Sequence, residues 1–445
     1  MKIALRKLEG KSTGYYMLLA GLGLIALVGM LAVWYMEHNG HIVTGMNNQI
    51  IWGMPHVFAV FLVVAASGAL NVASMSSVFG KTDYKSLAPL SGVLAVALLL
   101  GGLTVLMLDL GRPDRLIVAM THYNFKSIFA MNIFLYSGFM GFVIAYLWTM
   151  MEHKMNRFTP LAGLFAFVWR VALTTGTGSI FGFLVARQAY DSAMIAPLFI
   201  ALSLSYGLAL FILVLLLAHR GAGRPLGDEM VAKLARLQAI FVAVGFYFVL
   251  VYHLTNMYFT KHHDFERFIL LDGGVYTVLF WLGQIVLGTV LPFILLLHPQ
   301  IAQMRSRIVA ATALVVLGAF AQMYVTIVGG QAFPIVMFPG KQVRSTFYDG
   351  VVASYTPSLP EILLGFGGVA IAGLIVLLVV KLLNILPERL DDVALQSSRI
   401  PAPTRLLRQL HLQPALNLQA QAPNDACRAC LFRLRTSRQV KPPSP

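Results

Sequence analysis

The stretch Asp109–Lys126 reads D-L-G-R-P-D-R-L-I-V-A-M-T-H-Y-N-F-K and holds Asp109, Arg112, Asp114, Arg115, His122, Asn124 and Lys126. Charged residues form only 11% of the 445-residue chain, so this density is unusual. Carboxylate, guanidinium, imidazole and amide groups can together donate and accept hydrogen bonds and carry a proton. On each side lies an apolar run long enough to cross a bilayer. A polar loop held between two such runs sits at a membrane surface. It is read as the roof of a site for a membrane-soluble ligand.

Trp52 and His56 open the second apolar run and, four residues apart, share one helix face. With Asp109, Arg112, Arg115, His122, Tyr123 and Asn124 they form a polar set at one rim. A quinone fits this set. It needs donors at its carbonyl oxygens, a route for protons, and apolar walls for its ring and tail. A plainer reading stands beside it. Asp109 with Arg112 or Arg115 would cap helix ends and pin the loop. Trp and Tyr near a span end also serve as interfacial anchors.

A second candidate lies inside the membrane. Arg170, in F-V-W-R-V-A-L-T-T-G-T-G-S, falls near the middle of an apolar run. An intramembrane Arg is costly and pairs or lines a wet cavity. Thr174, Thr175, Thr177 and Ser179 would extend it into a proton path. The alternative is a structural Arg beside small residues that pack helices closely.

The remaining chemistry is bounded by what the sequence lacks. Membrane haem takes paired histidines on facing helices, whereas His38, His41, His56, His122, His253 and His298 fall near span ends or in loops, and His262 and His263 form a loop pair. No haem is expected. The two cysteines, Cys427 and Cys430, lie outside the apolar region, so no thiolate iron–sulfur or zinc site is expected there, and no metal ligands are assigned. No phosphate loop, nucleophile elbow or zinc-protease motif occurs. No catalytic residue is assigned, and the protein is not expected to act alone.

These residues need elements to position them, and the composition says which. Hydrophobic residues make up 58% of the chain, which excludes an ordinary soluble domain. The predicted fold is all-α: a polytopic integral membrane protein of about ten transmembrane helices, in two helix bundles. The predicted spans are 14–36, 52–79, 87–108, 128–151, 161–187, 195–218, 237–256, 275–297, 308–329 and 360–385. The fifth exceeds the length needed, which predicts a tilt or a kink near Gly176 and Gly178. Residues 1–13 form a short N-terminus that leads into a retained first helix, 14–390 the membrane domain, and 391–445 a disordered, Arg- and Pro-rich tail.

The net charge of +15 sits in loops and tail, so it reflects topology rather than nucleic-acid binding. Loops on the N-terminal side hold fourteen Lys and Arg before the tail, against eight on the other side. That bias places both termini in the cytoplasm. The Asp109–Lys126 loop then faces outward, with the starts and ends of the spans that carry Trp52, His56, His253, Asn256, Gln322 and Tyr324. The long loop 330–359, rich in Pro, Gly and aromatics, also faces outward and suits an interfacial or partner-docking role.

At Asp109–Asn124 the sequence resembles the polysulfide-reductase membrane-subunit family, also called NrfD-like. The matching residues are D-L-G-R-P-D-R with T-H-Y-N at 121–124, W-G-M-P at 52–55, and T-G-T-G-S-I-F-G-F-L-V-A-R at 175–187. The likeness covers about 14–390. Within the family the sequence looks closest to the DsrP-type subunit of the sulfite-reduction-associated Dsr complex, with the Hmc-type complex as near neighbour.

The resemblance implies an inner-membrane subunit that holds no metal cofactor and binds menaquinone or ubiquinone near the periplasmic face. It implies electron exchange with a periplasmic iron–sulfur, ferredoxin-like subunit, a multihaem cytochrome c and further membrane and cytoplasmic subunits, linked to sulfur metabolism. By position in the motif, Asp109, Arg112, Arg115, His122 and Asn124 match the family loop near the quinone, and His56 sits where the quinone-contacting helix begins. The competing expectations are a proton-translocating module or secondary transporter built on Arg170, Thr174, Thr177 and Ser179, and a pure anchor for partners. A transporter would show an internal inverted repeat, and none is evident.

Overall fold

In a bilayer every backbone polar group must be satisfied within the protein, and a long apolar run meets that demand only as a helix. The computed structural model, which describes residues 4–298, 304–335, 350–390 and 392, shows this outcome. Ten of the described helices are long and apolar enough to cross a membrane: Thr13–Asn39, Met54–Ser77, Ala88–Leu108, Ile128–Met151, His153–Gly182, Ile195–Ala222, Asp228–Tyr258, Val275–Leu297, Arg305–Ala332 and Leu359–Leu382. They are the first to tenth spans below. The protein is an all-α, polytopic membrane protein.

Local signals set the span ends. Ser12 accepts a hydrogen bond from the Tyr15 amide at 3.2 Å, capping the first span. Pro55, Pro89 and Pro360 stand in the first turns of the second, third and tenth spans, and Pro160 in the first turn of the α-helix Thr159–Gly182 within the fifth, where no amide is missed. The seventh span starts at Asp228, well before the predicted 237. Asp228 and Glu229 in its first turn suit the positive end of a helix, so the helix continues past the apolar run.

The fifth span ends at Gly182 and is unbroken through Gly176 and Gly178. Those glycines admit neighbours instead: a Cβ at Gly176 would meet Leu135 and Asn132, and one at Gly178 would meet the Ala196 backbone. Three stretches widen to π-helical turns, Phe268–Asp272, Leu279–Val290 and Val325–Gly329.

The spans form two four-helix rings. Spans two to five pack around one another, and spans six to nine around one another. The second and sixth spans join the rings so closely that a Cβ on Gly68 would stand 1.6 Å from the Ser203 carbonyl oxygen. The first span pairs with the tenth, which packs on the second and third. Leu5–Arg6 pairs antiparallel with Leu386–Pro387, so these two segments meet on one face. Arg224 fastens this strap by donating to the carbonyls of Arg6, Lys7, Leu386 and Pro387. The predicted tail lies outside the described residues, apart from Asp392, as do residues 336–349 of the long loop.

Candidate functional site

His56 stands in the first turn of the second span and Asp109 caps the end of the third. The two spans are neighbours in the first ring, so both side chains meet at the face opposite the strap. His56 Nδ1 lies 2.8 Å from Asp109 Oδ2, with the side chains 18% and 1% exposed. The approach is close but not aligned as a hydrogen bond, and neither Asp109 oxygen has a hydrogen-bond partner among the described residues. Beside the imidazole, the buried carboxylate keeps hydrogen-bond capacity that a ligand could fill.

An apolar wall stands beside the pair. The Trp52 ring lies 6.1 Å from the His56 ring, edge-on to Phe181 at 5.5 Å, and near Phe129 at 5.9 Å and Tyr190 at 6.4 Å. Phe129, Ile51, Met107 and Leu110 keep large exposed surfaces around this rim.

The start of the second span is held by groups far away in sequence. Gln331 Oε1 accepts from the Ile51 and Trp52 amides, each at 3.0 Å, and Gln331 Nε2 donates to the Trp52 carbonyl at 2.9 Å. Arg187 donates to the Gln331 and Gln49 carbonyls, both at 2.9 Å. Burial lowers the pKa of the Arg187 guanidinium, opposed by Tyr190.

On the other side Glu361, fully buried in the first turn of the tenth span, accepts from the Gly45 amide at 3.1 Å and the Ser358 amide at 2.6 Å. Tyr355 donates its hydroxyl to Glu361 Oε1 at 2.8 Å and accepts from the Met54 amide at 2.6 Å. Burial, then the Glu361 charge, pushes the Tyr355 phenol well above its ordinary range, so it remains a donor. Gly53 is required here, because a Cβ would stand 2.6 Å from both Glu361 Oε1 and the Tyr355 hydroxyl.

The structure brings together only part of the predicted set. Arg112, Arg115, His122 and Asn124 are all exposed on the segment between the third and fourth spans. Arg112 Nε sits 3.4 Å from Asp114, His122 Nδ1 3.1 Å from the Thr121 hydroxyl, and Asn124 Oδ1 accepts from the Lys126 amide. Tyr123 donates its hydroxyl to the Ala130 carbonyl.

Arg170 is buried between the second and fifth spans, where it donates to the Ser67 carbonyl at 3.1 Å and to Asn71 Oδ1. Thr174 and Thr177 donate to carbonyls one turn back in their own helix, and Thr174 also bonds the Ser67 hydroxyl at 2.6 Å. Ser179, two residues past Thr177, is also buried.

Sequence reasoning missed Gln331, Arg187, Tyr355 and Glu361. The S-L-P-E string at 358–361 carried a signal, since Ser followed three residues later by Glu marks a helix start. Nothing local tied Gln331 to Trp52. Among the described residues, no three His, Cys, Asp or Glu side chains cluster as a metal site.

Fold and site together define a multi-span helical membrane subunit with a carboxylate–imidazole pair at one rim. Residues 42–335 match the family described as Polysulphide reductase, NrfD. The Hdr-like menaquinol oxidoreductase integral membrane subunit of Archaeoglobus fulgidus is 30% identical over 392 residues, 87% of this chain and 98% of that protein. A subunit of the selenate reductase of Mesobacillus selenatarsenatis is 21% identical, with 80% of this protein and 90% of that one aligned. A component of the polysulfide reductase of Wolinella succinogenes is 26% identical, with 64% and 96% aligned. The protein belongs to the polysulphide reductase NrfD family of oxidoreductase membrane subunits.

Proposed function

We propose that this protein is the quinone-reactive membrane subunit of a respiratory complex, and that its headgroup site is the His56–Asp109 pair. One observation carries the reading: a buried carboxylate with no hydrogen-bond partner among the described residues, 2.8 Å from an imidazole, at a span end walled by Trp52. The family and the relatives named for menaquinol, selenate and polysulfide chemistry support it.

A bound quinol supplies two electrons and two protons at this rim. His56 would orient the headgroup and take one proton at its free ring nitrogen, with Asp109 stabilising the resulting imidazolium, while the second proton would leave to water at the exposed rim. Trp52 and Phe181 flank the ring and keep water from it. The exposed Phe129, Ile51, Met107 and Leu110 line the approach from the lipid. The electrons leave to a redox centre in a partner docked at the same rim.

The exposed Arg112, Arg115, His122 and Asn124 belong in this reading to the docking face of that partner, an iron–sulfur subunit in the periplasm. Cytochrome c and a link to sulfur compounds, as in the Dsr-type complex, extend the same reading, with both termini in the cytoplasm of an inner membrane. Menaquinone and ubiquinone both suit the pair. Quinol oxidation by the intact complex in membranes tests it. Asp109→Asn should abolish turnover with subunit assembly retained, and undiminished turnover would refute the assignment.

A further inference from the structure

A second buried carboxylate–imidazole pair lies in the other ring. His253, near the end of the seventh span, places Nδ1 2.7 Å from Glu266 Oε2, and Asn256 Nδ2 donates to Glu266 Oε1 at 2.9 Å. Glu266 is 2% exposed, on the short helix His263–Arg267 that precedes the eighth span. Around it stand His262 and the Lys261–Asp191 ion pair, and Tyr252, whose hydroxyl is committed to the Ala189 carbonyl at 2.8 Å. Neither the headgroup site nor the partner face uses this pair.

The pair opens on a polar line through the ring. His253 lines a cavity of about 30 Å³ with Gln284, Gln322 and Thr326. A second cavity, of about 20 Å³, is lined by the same Gln284 and Gln322 together with Ser205, Tyr206 and Thr289. Each is large enough for one or two waters. Both amide atoms of Gln284 and Oε1 of Gln322 are buried without a partner among the described residues. Gln284 sits in the π-widened Leu279–Val290, and Gln322 stands just before the π-widened Val325–Gly329. Such widening shifts side chains off the regular helix register and marks functional stretches.

Further along the seventh span, Gln238 donates to the Ser205 carbonyl at 3.1 Å, and its own Oε1 is buried with no partner among the described residues. One turn beyond, on the face of the strap, Lys233 bridges Asp83 at 2.7 Å and Glu229 at 3.0 Å. Polar groups thus stand toward both ends of the seventh span, at residues 256 and 253 and at residues 238, 233 and 229. Between them the two cavities share Gln284 and Gln322, and the second is lined by Val242, Val249 and Ser205, whose carbonyl accepts from Gln238.

Structural glutamines in a dry helix bundle pair with one another or with carbonyls, because an unpaired amide is costly. Gln322 Nε2 donates to the Thr326 hydroxyl at 3.3 Å, but its Oε1 and both Gln284 amide atoms have no partner among the described residues. Both side chains line the cavities, and the line ends on a titratable pair. We propose that His253–Glu266 holds an exchangeable proton and passes it along a water-bridged path through spans six to nine, separate from the headgroup site. Each step moves one proton between imidazole, carboxylate and water and changes no oxidation state. Amides of Gln284 and Gln322 hold the waters in line by donating and accepting at once.

The intact complex, reconstituted in vesicles that trap a pH dye, tests this under two drives. Under quinol turnover, wild type moves more protons per electron than quinol chemistry alone releases. Glu266→Gln and Gln322→Leu both reduce the count to that chemical value while electron transfer continues. Under a potassium potential set with valinomycin and no quinol, proton flux falls by about tenfold or more in both variants.

Gln322→Leu keeps the span's volume and carries the test where Glu266→Gln fails to assemble. Equal proton movement in wild type and assembled variants under both drives overturns the proposal. Loss of electron transfer in assembled Glu266→Gln also overturns it, since the pair would then serve the quinone. Absent quinol turnover with the potential-driven difference intact refutes the headgroup assignment alone.

Discussion

At the scale of the residue, the account rests on His56 and Asp109. Replacing His56 with Gln removes the proton acceptor and keeps a polar side chain in place. Quinol turnover per assembled complex should fall by about a hundredfold, the usual contribution of a positioned acid–base group. Replacing Glu361 with Gln or Tyr355 with Phe loosens the loop before the second span without touching the headgroup. These changes should raise the KM for quinol several-fold more than they lower kcat, and steady-state kinetics on a quinol series separates the two.

That His56 and Asp109 share one rim was legible in the sequence, because each stands at the end of a neighbouring apolar run. Their clamp was not legible. Gln331 and Glu361 lie 279 and 316 residues from the backbone groups they hold, and no pattern in a single sequence links such positions. Arg112, Arg115, His122 and Asn124 looked equivalent to Asp109 by spacing. Yet Asp109 ends a helix facing its neighbour, whereas they ride an exposed segment.

At the scale of the element, the length of each apolar run set the ten spans, and charge moved their ends. The start of the seventh span came from its acidic first turn, which hydropathy does not see. The π-widened stretches were not readable either, because they leave the apolar pattern intact.

Two tests belong here. Gly68→Leu drives a side chain into the Ser203 carbonyl and should stop the protein accumulating in membranes, as immunoblotting would show. Arg170→Leu strands Asn71 in the helix interface. It should lower the thermal stability of the complex, followed by size-exclusion chromatography after heating, and leave turnover per assembled complex unchanged. Lost turnover at unchanged stability would move Arg170 into a proton path with Thr174, Thr177 and Ser179.

At the scale of the whole molecule, two four-helix rings each carry one carboxylate–imidazole pair at the same face, but the pairs are wired differently. In one, the carboxylate oxygens make no aligned hydrogen bond among the described residues, and the pair lies at the rim. The other is hydrogen-bonded and faces inward to two cavities. The orientation has its own check. With Cys427 and Cys430 changed to Ser, a cysteine placed at Lys126 should react with an impermeant maleimide from outside the cell, and one at Lys7 only after lysis.

The most direct test of the central claim is the affinity of the purified complex for 2-heptyl-4-hydroxyquinoline N-oxide, a quinol analogue, by fluorescence quenching. His56→Gln and Asp109→Asn should each weaken its Kd by about tenfold or more, or about 1.4 kcal/mol, while Arg115→Gln and Asn124→Ala leave it unchanged. Wild-type affinity in the His56 and Asp109 variants would contradict the account.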